Sequence, residues 1–421
     1  MGAYTAGLEE RIYQIYPEDD DYIDALLEVV KGFRSFEEAL ESFLLEHGYK
    51  GDIKNKDEKI AYFVLKFRQS GIAVPRNIKK WFREPAEVSE GGTVRINRET
   101  AYQICFAFRL GITKTEDFFR RIYLQRSFDR HDVRETVYFH ALKYGMTYAE
   151  ALDMLSQVPE TEGRGKVDFD RNICYTAEIA EETDKIVDAE ELVAYLKEHR
   201  DVFACHNVTA YRYIHKLWEE IASPEGLALQ EKNKLYLWPE ADSGEQEQAE
   251  KSERRKDIAS RIKSRGAEGA DSLWGIYLQI LGLSGAVAAG LGTDRSLKTI
   301  LRDNALLHPF AEDCFPDRDG LNKILNGENV SYERVRKIMI LLVFYKFWVA
   351  IALKIGGYQA KGRDRDRCIA AVNDFLTDAG YPVLYAGNPF DWIIMYASAD
   401  EYPLLTFRDY MRELFYRSLK A

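Results

Sequence analysis

An all-α protein of two helical domains is what the sequence predicts, and three observations predict it. Apolar residues recur at three- and four-residue spacing along most of the chain, the period of a helix with one buried face. Aromatic residues reach 13% and prolines number 11 in 421 residues, a balance that favours packed helices over disorder. A polar run at 239–269, PEADSGEQEQAEKSERRKDIASRIKSRGAEG, cannot bury a core and separates the two halves. A chain of this length divides into more than one core. The expected divisions are acidic N-terminal helices at 1–54, a helical domain at 55–157, a helical extension at 158–238, the charged linker at 239–269 and a C-terminal helical domain at 270–421.

The first fifty residues predict two amphipathic helices. Residues 21–32 carry Leu26, Leu27 and Val30 inward, and 36–47 carry Ala39, Phe43 and Leu44. The acidic run Glu18, Asp19, Asp20, Asp21 complements a helix start. Residues 56–70 form the next helix, with Ile60, Phe63, Val64 and Phe67 on one face. Pro75 then opens a short helix to Phe82, whose Ile78, Trp81 and Phe82 share a face. A polar loop with Gly91-Gly92 follows, and Asn97 caps a helix from Arg98 to about Leu110. Thr113 to Glu116 spells a capping box, with a helix to about Tyr123. Residues 132–144, stopped by Gly145, and 149–155, capped by Thr147 with Glu150, make a helical pair.

Beyond a polar connection at 158–170, helices are expected at 175–185, at 189–198 capped by Asp188, and at 209–221. Only 166–170 has a strand-like pattern. The second half opens with an apolar helix after Ser272 and a short one at 296–301. The run 338–353 is short for a membrane span and contains Lys346, so it predicts a buried core helix. Residues 273–291 are long enough to span, but Gln279 and the glycine interruptions fit close helix packing. The charge-dense 361–367 reads as a solvated loop entering a helix at 366–379. Asn388-Pro389 opens another helix, Pro403 breaks it, and 406–419 closes the chain.

Charge is unevenly distributed. The net is −11, yet residues 1–49 carry −9, residues 50–126 carry +8, and the remainder carries −10. A basic block between acidic ones suits a local polyanion site, and equally an internal acidic–basic contact that would cover it. Arg76, Asn77, Lys79, Lys80 and Arg83 flank the apolar face of the 75–82 segment. Arginine and asparagine have the donor forks that read base edges, and the lysines can meet phosphates.

The order of these pieces resembles the lambda-repressor-like (XRE) helix-turn-helix group over 55–111. The matching pieces are 75–82, Asn97-Arg98-Glu99-Thr100 and the 106–111 stretch ending Leu110-Gly111. A fainter echo spans 319–345, where a short helix precedes the Asn326-Gly327 turn and Ser331 caps a long apolar helix. The resemblance implies a bacterial-type, cytoplasmic, DNA-binding transcriptional regulator whose 75–82 helix enters the major groove of double-stranded DNA. Arg95, Arg98, Arg120 and Arg121 would then hold phosphates, and the C-terminal half would sense a signal or self-associate. A helical adaptor, of host–phage defence type or otherwise, with a protein partner and no nucleic acid, is the second reading, motivated by the net acidity and apolar helical content.

No cofactor and no metal are implied. Seven histidines form no HExxH pair, and the group His199, Cys205, His206, His215 has no zinc spacing. Five scattered cysteines without a CxxC fit a reducing compartment. No GxSxG, Walker loop or strand-borne GxGxxG is present, so no catalytic residue is assigned. The aromatic residues of the basic block suit base stacking in principle, but their helical spacing assigns them to the core.

Overall fold

The computed structural model describes residues 3–16, 22–82, 96–159, 167, 176–200, 202–204, 207–233, 273–284, 316, 318–355 and 362–420, and among these every regular element is helical. In chain order they are α1 (Ala3–Arg11), α2 (Tyr22–Lys31), α3 (Phe36–Glu46), α4 (Lys56–Gln69), α5 (Arg98–Ala107), α6 (Ile112–Phe118), α7 (Val133–Lys143), α8 (Tyr148–Gln157), α9 (Thr176–Lys185) and α10 (Ala189–Glu198). The second half of the series is α11 (Val208–Ala222), α12 (Leu227–Asn233), α13 (Leu273–Ile280), α14 (Arg318–Leu325), α15 (Tyr332–Ile355), α16 (Gly362–Asp378), α17 (Pro389–Ala399) and α18 (Pro403–Lys420). No helix among the described residues is long and apolar enough to cross a membrane.

Side-chain caps start many of these helices where the sequence places Ser, Thr, Asp or Asn. Asn97 accepts from the Thr100 amide at 2.7 Å, and Thr147 with Glu150 closes a reciprocal capping box. Ser35 and Glu38 form another box at α3, and Asn388 caps α17 ahead of Pro389. Each such cap satisfies donors that would otherwise be orphaned and contributes about 1 kcal/mol.

Two apolar clusters result. One joins α3 to α10 around Phe63, Phe67, Trp81, Tyr102, Phe119 and Tyr138. The other surrounds α15, whose Ile338–Tyr345 stretch is buried on every side, as the sequence predicts for a core helix. Membership does not follow chain order. Leu8, Ile12, Leu26 and Val29 of α1 and α2 pack with the C-terminal elements, whereas α3 packs with the first cluster. The Trp392 indole N–H, donating to the Leu8 carbonyl at 2.8 Å, ties the two ends of the chain together. α11 and α12 also belong to the second cluster.

Several local expectations differ from the structure. Residues 75–82 form no α-helix, only a 3₁₀ turn at Ile78–Lys80. The segment is too short to be helical without extensive packing, and Asn, Ile, Trp and Phe are weak helix formers. The Thr113 capping box is absent: α6 begins two residues earlier with Gly111 at its N-cap, and Thr115 is buried inside the helix. Of the charge-dense 361–367, Lys361 lies outside the described residues and 362–367 is helical from the start of α16, where Asp364 is buried and pairs with Arg367 at 3.1 Å. Of the strand-like 166–170 stretch only Val167 is described, and it makes one backbone bond, to the Gly327 carbonyl at 3.0 Å. Helices α1 and α12 lack any sequence signal singled out above. The 239–269 linker and the 296–301 helix lie outside the described residues.

The second core holds charge as well as apolar surface. Glu231 accepts from both arms of Arg408, at 2.7 and 3.1 Å, from Tyr345 at 2.8 Å and from Gln279 at 3.0 Å. Burial pushes the Glu231 carboxyl up, but Arg408 and the hydrogen bonds outweigh it and hold the group down at about 2. Its folded value lies below the ordinary 4.5, so its stabilisation is present above pH 4.5 and is lost as the pH falls toward 2. Thermal melts across that window are expected to show a loss of about 3 kcal/mol from this group. Glu231→Gln should flatten that part of the profile while lowering stability at neutral pH.

Candidate nucleic-acid interface

The turn that follows α4 folds back along it. Ile78, Trp81 and Phe82 are 5%, 0% and 1% exposed, so the three apolar residues point inward as their spacing predicts. The Trp81 ring meets Phe63 edge-on at 5.6 Å and Phe67 at 6.4 Å, and Phe82 meets Phe63 at 5.7 Å. Burying three large side chains fixes the backbone between them, and this orients the polar residues outward. Arg76, Asn77, Lys79 and Lys80 are all exposed, and none has a hydrogen bond or ion pair from its side chain among the described residues. Arg83 and Arg95 lie outside the described residues, as does the Gly91-Gly92 loop.

The remaining arginines of the predicted site are engaged within the chain. Arg98 is turned inward rather than toward a phosphate. Its guanidinium donates to Glu135 at 2.7 Å and to the Ser127 carbonyl at 3.1 Å, and it sits 4.6 Å from the centre of the Tyr332 ring. Burial works against the Arg98 charge, yet Glu135 more than compensates, so the group holds its proton above the ordinary arginine range. Arg120 pairs with Asp117 at 3.0 Å and stacks 5.5 Å from the Tyr385 ring. Arg121 makes a two-armed contact with Glu46 of α3, at 2.9 and 3.3 Å. These contacts share one cause: an arginine near carboxylates and aromatic rings of its own chain finds partners there without a ligand.

The acidic N-terminal segment therefore neutralises part of the basic block. Lys59, buried in α4, donates to Glu37 at 3.1 Å and also to Glu41. Burial alone would lower its pKa, and the two carboxylates reverse that and raise it. The contacts from α3 reach Lys59 and Arg121 but leave Arg76, Lys79 and Lys80 uncovered. Two further exposed cations, Arg68 at the end of α4 and Arg109 just past α5, carry no side-chain partner among the described residues and were not singled out by the sequence pattern. Their signal was positional, since both stand at helix C-termini rather than in a basic run.

The echo at 319–345 does form a short helix, a turn and a long helix. Its outer face offers little to a polyanion, because Lys323 is paired with Asp319 at 2.6 Å. The turn is held by the Tyr211 hydroxyl, which donates to the Glu328 carbonyl at 2.7 Å. Among the described residues no three His, Cys, Asp or Glu side chains are grouped to hold a metal ion; Cys205 and His206 lie outside them.

The site thus defines an all-helical protein that presents an anchored basic turn on an otherwise acidic molecule. Comparison with protein-family models, curated proteins and solved structures returns no match.

Arg98→Ala leaves the buried Glu135 carboxylate without its cationic partner and should cost about 3 kcal/mol in chemical denaturation. The same variant should leave the salt dependence of any duplex binding unchanged.

Proposed function

We propose that the chain is a DNA-binding protein of regulatory type that grips the phosphate backbone of double-stranded DNA through the turn at 76–80. The observation that carries this reading is the outward presentation of Arg76, Lys79 and Lys80, uncompensated among the described residues, on a turn pinned by Trp81 and Phe82. A surface cation that is already paired must give up or share its carboxylate to meet a phosphate, which offsets the gain. A free one displaces condensed counterions from the duplex and gains affinity from their release. Phosphate contact through a 3₁₀ turn positions the protein without reading bases, so the reading differs from a recognition helix in the major groove. Asn77, exposed on the same turn, is the side chain best suited to a base edge or a phosphate oxygen. A cytoplasmic setting accords with Cys105 and Cys368, both buried as free thiols.

The alternative of a helical adaptor has one observation in its favour. Val187, Leu152 and Tyr144 are exposed apolar residues on neighbouring elements, with Tyr144 donating to the Ile186 carbonyl at 3.3 Å. A protein partner seated there would not require the basic turn.

Mobility-shift titration of random-sequence duplex at two or more salt concentrations tests the first reading. The triple variant Arg76→Ala, Lys79→Ala, Lys80→Ala should lower the slope of log K against log salt by about 2.7, one increment of about 0.9 for each lost phosphate contact. Its stability should match wild type, because none of the three side chains is buried. Equal slopes for the two proteins would remove the turn from the interface.

A further inference from the structure

Arg109 is one of three non-glycine residues with a left-handed backbone among the described residues, at φ +50°. It closes α5 in a Schellman-type turn. The Leu110 N–H donates to the Cys105 carbonyl at 2.9 Å, and the Arg109 N–H donates to the Phe106 carbonyl at 3.0 Å. The end of α4 is built in the same way, with Gly71 at φ +67° in the equivalent place. There the Ile72 N–H donates to Phe67 at 2.9 Å and the Gly71 N–H to Arg68 at 3.1 Å. The two turns lie side by side, since the Ser70 hydroxyl donates to the Ala107 carbonyl at 3.2 Å.

One of these matched turns has the residue the conformation favours, and the other has an arginine that the conformation disfavours. The glycine nearest to α5, Gly111, stands two positions further on at φ −76°, where no glycine is required. No hydrogen bond or ion pair of its side chain within the described residues accounts for a cation in place of glycine at 109. Arg68, also exposed, stands in the last turn of α4 at the neighbouring helix end. Both helix ends reach the basic turn through aromatic contacts: Phe67, in the last turn of α4, meets Trp81 at 6.4 Å, and Phe63, in the middle of α4, meets Trp81 at 5.6 Å and Phe108, at the end of α5, at 5.2 Å. From Ser70 to Arg76 the chain can extend at most about 20 Å, less than one turn of duplex.

We propose that Arg109, with Arg68 at the neighbouring helix end, is a second phosphate contact on the surface that begins at Arg76, so that one DNA backbone is held at the paired ends of α4 and α5 as well as at the turn. This rests on the reading above and adds to it the extent of the footprint. A competing role for Arg109 is to complement the negative end of α5, which has no basic residue in its last turn. The two roles predict different behaviour when glycine is restored.

The test is a salt titration of random duplex binding, together with thermal melts, on wild type, Arg109→Gly, Arg109→Lys and the triple-alanine variant of the turn. The expected result is that Arg109→Gly melts at or above the wild-type temperature, binds duplex roughly five- to tenfold more weakly at 0.1 M salt, and loses about 0.9 from the salt slope. Arg109→Lys should keep the wild-type slope. Wild-type affinity and slope in Arg109→Gly, alongside lost binding in the triple-alanine variant, would overturn this proposal and leave the turn as the whole contact. A glycine variant that melts lower with an unchanged slope would overturn it equally, assigning Arg109 to the helix end alone. No duplex binding by the wild type would overturn both readings together.

Discussion

Phe63 is the side chain on which the candidate interface depends. It lies fully buried on α4 and touches Trp81, Phe82 and Phe108 at once. Through the first two it holds the basic turn against α4, and through the third it holds the end of α5. A turn this short has almost no intrinsic stability, because its three backbone hydrogen bonds cannot offset the entropy of ordering its backbone. Burial of Trp81 and Phe82 supplies what the backbone lacks, at about 2–3 kcal/mol for each large side chain removed from water. The direction in which Arg76, Lys79 and Lys80 point is thus decided by aromatic packing and not by any contact of their own.

A second constraint ties that half of the molecule to the other. Arg126 is buried where the two apolar clusters meet. It donates to the Phe128 carbonyl at 2.7 Å and to Asn207 at 3.2 Å, and Tyr381 donates to the same Asn207 oxygen at 2.7 Å. Gly380, at φ +72°, lies so close that a Cβ there would fall 2.7 Å from the Arg126 guanidinium. The inward turn of Arg98 belongs to this seam, since its ring partner Tyr332 comes from the second cluster and its carboxylate partner Glu135 from the first. Arginines of the basic block are therefore divided by location. Among the described residues, those next to the seam or to α3 stabilise the fold, and Arg68, Arg76 and Arg109 carry no side-chain partner.

The all-helical class and many of the helix boundaries were legible because their signals are local. Asn97, Thr147 and Asp188 each cap the helix that their position predicts, since a cap depends on three or four neighbouring residues only. The inward face of Ile78, Trp81 and Phe82 was legible for the same reason, although the helix expected around them shrank to a single turn. What could not be read was every feature set by distant residues. Glu135 lies 37 positions from Arg98, and Glu46 lies 75 from Arg121, so no window of sequence shows that these arginines are spoken for. The packing of α1 and α2 with the C-terminal core was hidden likewise, because net charge groups them with α3 while apolar contact does not. The left-handed arginine at 109 escaped notice because a glycine two positions later looked like the natural stop.

Lysine-reactivity footprinting by mass spectrometry, with and without duplex DNA at low salt, probes the basic turn itself. Lys79 and Lys80 should react readily in the free protein and become protected when duplex is added, while buried Lys59 stays unreactive in both states. Protection absent from Lys79 and Lys80 under conditions where duplex is bound, or protection confined to lysines elsewhere, would contradict the proposed contact.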